Sequence, residues 1–280
     1  MRHFPRPPLL AALLVALAAP NIMAAPPVVP ISLDGRPINY DYVELAEMAL
    51  AAPLAIAAEI DRAIALKGAQ AEGVASGNTR YYVEANVTGL IRGQTAVPPR
   101  ISYLIDLPTP TGRKPKLKGL PVLLLASQAG GPSELRLIGP RAQVPRTPEN
   151  ESRLRAILTA SVAADAPPVI TGITRAFHVP GSLPGESETQ IFLSTADNRP
   201  VSLNVLRRPG EEPRWAVALT ELVDASAEPP QRDTLLWYRL ACALPPAIPA
   251  RATIGLSDSE ETAIRNDYKV VLDGLGPCKR

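Results

Sequence analysis

The sequence predicts an α+β protein built from two small β-rich domains, the second an antiparallel meander, and a C-terminal pair of helices. Three observations support this. Apolar and polar residues alternate over short segments joined by Gly- and Pro-rich connections at residues 81–138. The same pattern returns at residues 169–223. Two segments with apolar residues at helical spacing then follow, at residues 234–244 and 258–275.

The domain boundary is predicted at the proline-rich stretch Asp165-Ala166-Pro167-Pro168, because such stretches interrupt regular structure. A β-rich domain with a closing helix is therefore expected over residues 42–166. The meander and the helical pair are expected over residues 167–280. Residues 25–41 are rich in proline and are predicted to be irregular.

The start of the chain has the parts of a secretory signal. Arg2 and Arg6 precede an apolar run at residues 9–19, and Ala24 and Ala25 follow it. That run is too short to cross a hydrocarbon core, which needs about 20 apolar residues, and this disfavours the alternative of an uncleaved anchor. The sequence predicts a signal peptide over residues 1–24, cleaved near Ala24, and a periplasmic or secreted protein without a transmembrane segment.

Charge and cysteine content narrow the function. Without the two arginines of the signal the chain has 27 basic and 27 acidic residues, whereas nucleic-acid-binding proteins usually have a basic excess. Cys242 and Cys278 are the two cysteines. In an oxidising compartment an even pair predicts a disulfide, and a catalytic or metal-binding thiol is the alternative. No metal is expected, because His178 is the only histidine after the signal and the two cysteines are predicted to pair. No cofactor is expected, because the sequence lacks cofactor-binding motifs.

In the first half, helices are predicted at residues 43–51 and 148–164. Residues 54–67 fit a strand by alternation and a helix through Ile56, Ile60 and Ile64, and we favour the strand. Further strands are predicted at residues 81–91, 101–107, 120–126 and 134–138. In the second half, strands are predicted at residues 169–179, 188–195, 201–207 and 214–223.

The C-terminal helices have recognisable ends. Asp233 is predicted to cap the first, and Ser257 with Glu260 forms a capping box for the second, which Gly276-Pro277 ends.

Two resemblances accompany these patterns. The strand order over residues 52–140, with Val87-Thr88-Gly89-Leu90-Ile91-Arg92-Gly93 before a long turn, resembles exported OB-like barrels of the netrin-like kind. This resemblance implies an OB-like barrel or sheet and no site residue. Residues 175–185 and 233–242 resemble a family of uncharacterised exported proteins of sphingomonad-type bacteria. That resemblance implies a Gram-negative envelope location and no activity.

Candidate chemistry is sparse, because the sequence lacks dinucleotide, phosphate-loop, nucleophile-elbow and zinc-protease motifs. His178 is the candidate general base, with Ser182 or Ser187 as nucleophile and Asp197 or a glutamate as the acid. The alternative is that His178 only hydrogen-bonds backbone at a turn.

A basic turn formed by Arg113, Lys114, Lys116 and Lys118 is the candidate binding site for an anionic envelope component. The alternative is a solvated hairpin tip.

Three functions remain open at this point. A non-enzymatic binding or accessory protein of the cell envelope, with an unknown envelope protein or an anionic component as its partner, agrees best with the missing catalytic motifs. A hydrolase using His178 with a nearby serine is the second. An inhibitor-like or structural module is the third.

Overall fold

A computed structural model describes residues 40–278 except 95, 110–114 and 221–226. The predicted signal peptide and nearly all of the predicted irregular segment lie outside these residues. The described chain has four α-helices: α1 Tyr42–Ala51, α2 Pro148–Val162, α3 Leu235–Ala241 and α4 Asp258–Leu275. Together with two antiparallel-rich sheets, they confirm the α+β class. None of the described helices is long and apolar enough to cross a membrane.

The first sheet is a small barrel. Its strands are β1 Leu54–Ala65, β2 Asn78–Arg92, β3 Arg100–Pro108, β4 Pro121–Gln128, β5 Glu134–Leu137 and β6 Gln143–Pro145. Five of them close in the order β1-β2-β3-β5-β4-β1, and β6 pairs with β4. The OB-like barrel is thus confirmed. Strand β6 was not predicted, since three residues are too few to show a period.

The ambiguous segment after α1 is a strand, and both of its faces are buried over residues 54–58. Ile56 and Ile60 lie inside the barrel. Ala55 and Ala57 point outward into a second cluster of buried residues, which also contains Leu123 of β4. Small outward residues let the neighbouring layer approach closely, and a strand with two buried faces reads as a nearly continuous apolar run.

The barrel therefore has a covered side and an open side. The outer faces of β1 and β4 share the second cluster with residues of α1, α2 and the second sheet. The outward side chains of Tyr82 on β2, Leu104 on β3 and Arg136 on β5 are half-buried or exposed. A ligand can reach the barrel at β2, β3 and β5.

The second sheet is an antiparallel meander in the order β10-β9-β8-β7, as predicted. Its strands are β7 Ile170–Pro180, β8 Ser187–Thr195, β9 Val201–Arg207 and β10 Arg214–Ala218. Ile173, Ile191 and Leu203 are among the residues that bury one face against the helices. The last strand ends at Ala218, where its ladder with β9 ends at the Ala218–Ser202 pair, and residues 221–223 of the predicted strand lie outside the described residues.

The predicted N-terminal cap is correct for α4 and wrong for α3. Ser257 and Glu260 form the predicted capping box of α4, which ends at Gly276 with a positive φ of 69°. The cap of α3 is Thr234, whose hydroxyl accepts a hydrogen bond from the Trp237 amide. Asp233 lies one position before the cap, at a φ of 59°. Threonine is also among the preferred cap residues, so the sequence offered two adjacent candidates.

The disulfide between Cys242 and Cys278 is present, with a Cα–Cα distance of 5.1 Å and no free cysteine. Cys242 is the C-cap of α3, and Cys278 follows the end of α4. The Trp237 indole also donates a hydrogen bond to the Leu275 carbonyl at 2.8 Å. The disulfide joins the C-terminal ends of the two helices, and the indole hydrogen bond joins the first turn of α3 to the last residue of α4.

The domain boundary predicted between residues 166 and 167 falls in the connection between α2 and β7. Buried residues on either side of this connection, such as Leu158 and Ile170, belong to the same apolar cluster. The division into two domains stays a prediction.

Stability is expected to fall above about pH 10, because burial raises the pKa of five of the seven tyrosines. Desolvation raises the pKa of Tyr42 to about 12. A phenol whose pKa is higher in the folded chain stabilises it fully below the unfolded pKa of about 10, and this contribution is lost as pH rises further. Absorbance at the phenolate band should rise together with loss of near-UV dichroism. Ionisation of all tyrosines near pH 10 with dichroism intact would contradict this.

Candidate functional sites

His178, the candidate base, lies near the end of β7, and 14% of its side chain is exposed. It pairs across the sheet with Thr189 of β8. The imidazole Nδ1 lies 2.8 Å from the Thr189 hydroxyl oxygen. His178 thus has a hydroxyl neighbour, but not the serine that the sequence analysis considered.

The hydroxyl of Thr189 is completely buried and donates a hydrogen bond to Asp267 of α4. Since its proton points to Asp267, Nδ1 of His178 must donate to the hydroxyl oxygen. A ring nitrogen that carries a proton cannot remove one from Thr189. The arrangement is therefore a hydrogen-bond chain rather than a nucleophile activated by a base.

Asp267 is 1% exposed and is shared by three strands of the second sheet. Its Oδ1 accepts a hydrogen bond of 2.6 Å from Nε of Arg207 on β9. Its Oδ2 accepts the Thr189 hydroxyl and lies 3.9 Å from Nδ1 of His178. This buried carboxylate connects β7, β8 and β9 to α4.

Ser182, the candidate nucleophile, lies in the exposed turn between β7 and β8. Its backbone amide donates to a carboxylate oxygen of Glu186 at 3.1 Å, and the Leu183 amide donates to the same oxygen at 3.3 Å. Within the described residues no hydrogen bond joins the Ser182 hydroxyl to His178. The structure does not bring the two candidate catalytic residues together.

Arg113 and Lys114 of the basic turn lie outside the described residues. Lys116 and Lys118 are exposed on either side of Leu117, which is buried in the barrel cluster. The turn connects β3 to β4, and these strands are not paired with each other. Its interpretation as a hairpin tip is therefore wrong.

Lys118 lines an open depression of about 540 Å³ together with Arg62, Arg100, Asp61 and Glu84. Arg62 binds Glu84 at 2.8 Å and Arg100 lies 3.9 Å from Asp61. The hydrogen bond from Arg62 lowers the pKa of Glu84. Two of the three cations are thus paired with acids, and the depression has a formal charge of only +1.

A larger groove, of about 610 Å³, lies on the open side of the barrel. Leu104, 49% exposed, and Tyr82 face each other across β3 and β2 and form its apolar part. Its polar lining comes from side chains on the same strands and on β5, namely Arg80, Asp106, Glu134 and Arg136.

The charges of this groove are partly satisfied within it. Arg80 binds Asp106 through two hydrogen bonds of 2.8 and 2.9 Å, and these lower the pKa of the Asp106 carboxyl. Glu134 and Arg136 form no ion pair with any described residue. The groove thus combines an exposed apolar patch with an unpaired acid and an unpaired base, which is typical of a binding surface.

Sequence reasoning missed the groove and the partners of His178. The signal for the groove was Leu104, an apolar residue at the outward phase of an alternating strand. Asp267 gave no signal, because a single acid on a helix usually faces solvent. Among the described residues, no group of three or more His, Cys, Asp or Glu side chains is placed to hold a metal ion.

Comparison with known proteins does not assign the chain to a family. No protein-family model matches the chain. No curated protein is significantly similar to it.

Proposed function

We propose that the chain is a non-enzymatic binding or accessory protein of the bacterial cell envelope, and that its partner binds in the groove of β2, β3 and β5. The observation that carries this proposal is the exposed Leu104 beside Tyr82 in a groove of about 610 Å³. A half-exposed leucine with an aromatic neighbour and unpaired charges at the rim is suited to burial by a partner.

The location of the groove supports the same conclusion. The outer faces of β1 and β4 are covered by other parts of the chain, whereas the outward side chains of β2, β3 and β5 in the groove are half-buried or exposed among the described residues. Strands hold side chains in fixed positions, and this lowers the entropy lost on binding. The hydrolase alternative is less well supported, because the hydroxyl next to His178 is buried and already bound to Asp267.

Export is the second part of the proposal. The charged, apolar and small-residue segments of residues 1–24 support a signal peptide. The Cys242–Cys278 disulfide supports an oxidising compartment. The resemblance to exported proteins of sphingomonad-type bacteria supports a Gram-negative envelope. Intact-mass measurement of protein recovered from the periplasm tests export, and a full-length mass would contradict it.

Capture from envelope extract tests the groove. The wild-type protein is expected to retain a partner that survives moderate salt. Leu104→Arg should weaken retention at least about tenfold, because it places a charge at the centre of the contact. Leu206→Arg is the matched control, since Leu206 is a leucine of similar exposure, 43%, on the second sheet. Equal loss in both variants, or retention by Leu104→Arg, would contradict the assignment.

A further inference from the structure

The barrel closes weakly between β3 and β5. The parallel ladder of these strands has only two residue pairs, Ser102–Glu134 and Tyr103–Leu135. On its other side β3 pairs with β2 along its whole length, from Arg100 to Pro108. The edge of β3 beyond Tyr103 therefore has no strand partner in the part of the chain that the structure describes.

Backbone groups of this edge face the groove. The Ser102 amide donates to the Ser133 carbonyl at 2.8 Å, and so it points to the side of β5. Backbone groups alternate in direction along a strand, so the polar groups of Leu104 and Asp106 point to that side as well. Past the end of the ladder this edge offers a backbone donor and acceptors to whatever occupies the groove.

The groove is lined on two sides by strands. One wall is β3, from Ser102 to Asp106, and the opposite wall is β5 with Gly139 and Pro140. At about 3.3 Å per residue, the stretch of β3 from Leu104 to Pro108, which has no described strand partner on the side of β5, matches an added segment of roughly four to six residues.

The side chains along the groove define the segment further. Ile105 and Leu137 line its inner part, and Leu104 lies on its outer rim. Alternate side chains of an added strand would contact these two surfaces in turn. Arg136 is unpaired among the described residues and favours an acid in the segment. The groove therefore fits an extended segment with apolar residues at alternate positions and an acidic residue beside Arg136.

We propose that the partner is a polypeptide, and that an extended segment of it binds by adding a strand to the free edge of β3 at residues 104–106. This mode of binding takes its affinity from backbone hydrogen bonds and its selectivity from alternate side chains. The inference rests on the proposed function and specifies the chemistry of the partner.

The test uses selected peptides, because the natural partner is unidentified. A phage-displayed library of random peptides of about seven residues is selected on the wild-type protein, and the affinity of a synthetic selected peptide is measured by fluorescence anisotropy. Methylating one peptide nitrogen at a time reports which amides bind the protein. Methylation at alternate positions should weaken binding at least about tenfold, and methylation at the intervening positions should have a much smaller effect.

Two protein variants complete the test. Leu104→Arg should abolish binding of the selected peptide, and Leu206→Arg should not. Hydrogen exchange of the Asp106 amide should slow when the peptide is bound, because this amide lies past the end of the ladder with β5. Loss of affinity without the alternate pattern, selection of no peptide, or equal binding to Leu104→Arg would each overturn strand addition.

The outcomes separate this inference from the proposed function. Capture of an envelope partner that depends on Leu104, without any effect of peptide nitrogen methylation, would leave the proposed function standing and overturn strand addition. Failure of both experiments would overturn both. A wild-type dimer that Leu104→Arg dissociates in sedimentation would assign the groove to a second copy of this chain and overturn a separate partner.

Discussion

Replacing both Cys242 and Cys278 by serine is expected to lower the free energy of unfolding by about 3–4 kcal/mol on the chain-entropy model. The bond closes a loop with a sequence separation of 36 residues. Opening it lets the unfolded chain explore more conformations, while the C-terminal end of α4 loses its covalent link to α3. For a chain of this length the melting temperature should fall by roughly 10 °C.

A reducing agent provides the matched control. It should lower the melting temperature of the wild-type protein to nearly that of the double serine variant and should leave the variant unchanged. Two free thiols in denatured, unreduced wild-type protein would contradict the bond. A variant that melts with the wild type would show that the Trp237–Leu275 hydrogen bond and apolar packing already hold the helices together.

The second large effect is expected at Arg207. Arg207→Met should cost about 3–5 kcal/mol of stability, because it leaves the Asp267 carboxylate buried without its cation. Asp267→Asn should cost less, about 1–2 kcal/mol, since asparagine is neutral and Arg207, 35% exposed, can reach water. Removing Arg207, the more exposed partner, should therefore lower stability more than replacing the buried Asp267.

Denaturant unfolding of a double-mutant cycle measures this asymmetry. Arg207→Met should cost at least about 1 kcal/mol less in the Asp267→Asn background, because no buried charge is left behind. Arg265→Met is the control, because Arg265 lies on α4, the helix that carries Asp267. Arg265 pairs with Glu261 at 2.5 Å and is 59% exposed, and its loss should change stability by about 0.5 kcal/mol or less. Equal costs for Arg207→Met and Arg265→Met would show that Asp267 is not the anchor of α4.

Local patterns in the sequence were sufficient for most secondary structure. Helix α4 has a capping box, an apolar stripe and a terminating glycine in contiguous sequence, and its predicted bounds are correct. The strands of the meander were predicted because each has one buried face and therefore alternates. Predictions failed where a strand was too short to show alternation, as at the three-residue β6, and where two adjacent residues could both cap a helix, as at Asp233 and Thr234.

The candidate site depended on tertiary structure. In the sequence, Leu104 is only an apolar residue at an outward position of an alternating strand. Its role becomes visible when β3 is known to lie beside a short β5, which leaves part of the edge of β3 without a partner among the described strands. Arg136 and Leu104 are distant in sequence, and they line the same groove because β5 lies next to β3.

The sequence by itself determined the α+β class, the OB-like strand pattern, the meander and the pairing of Cys242 with Cys278, because each depends on local periodicity or on the cysteine count. Tertiary structure decided that β1 and β4 are covered while β2, β3 and β5 are open. It also decided that Asp267, 78 residues from Thr189, completes the His178 chain. Such contacts depend on register and packing between segments distant in sequence, and no local pattern carries that information.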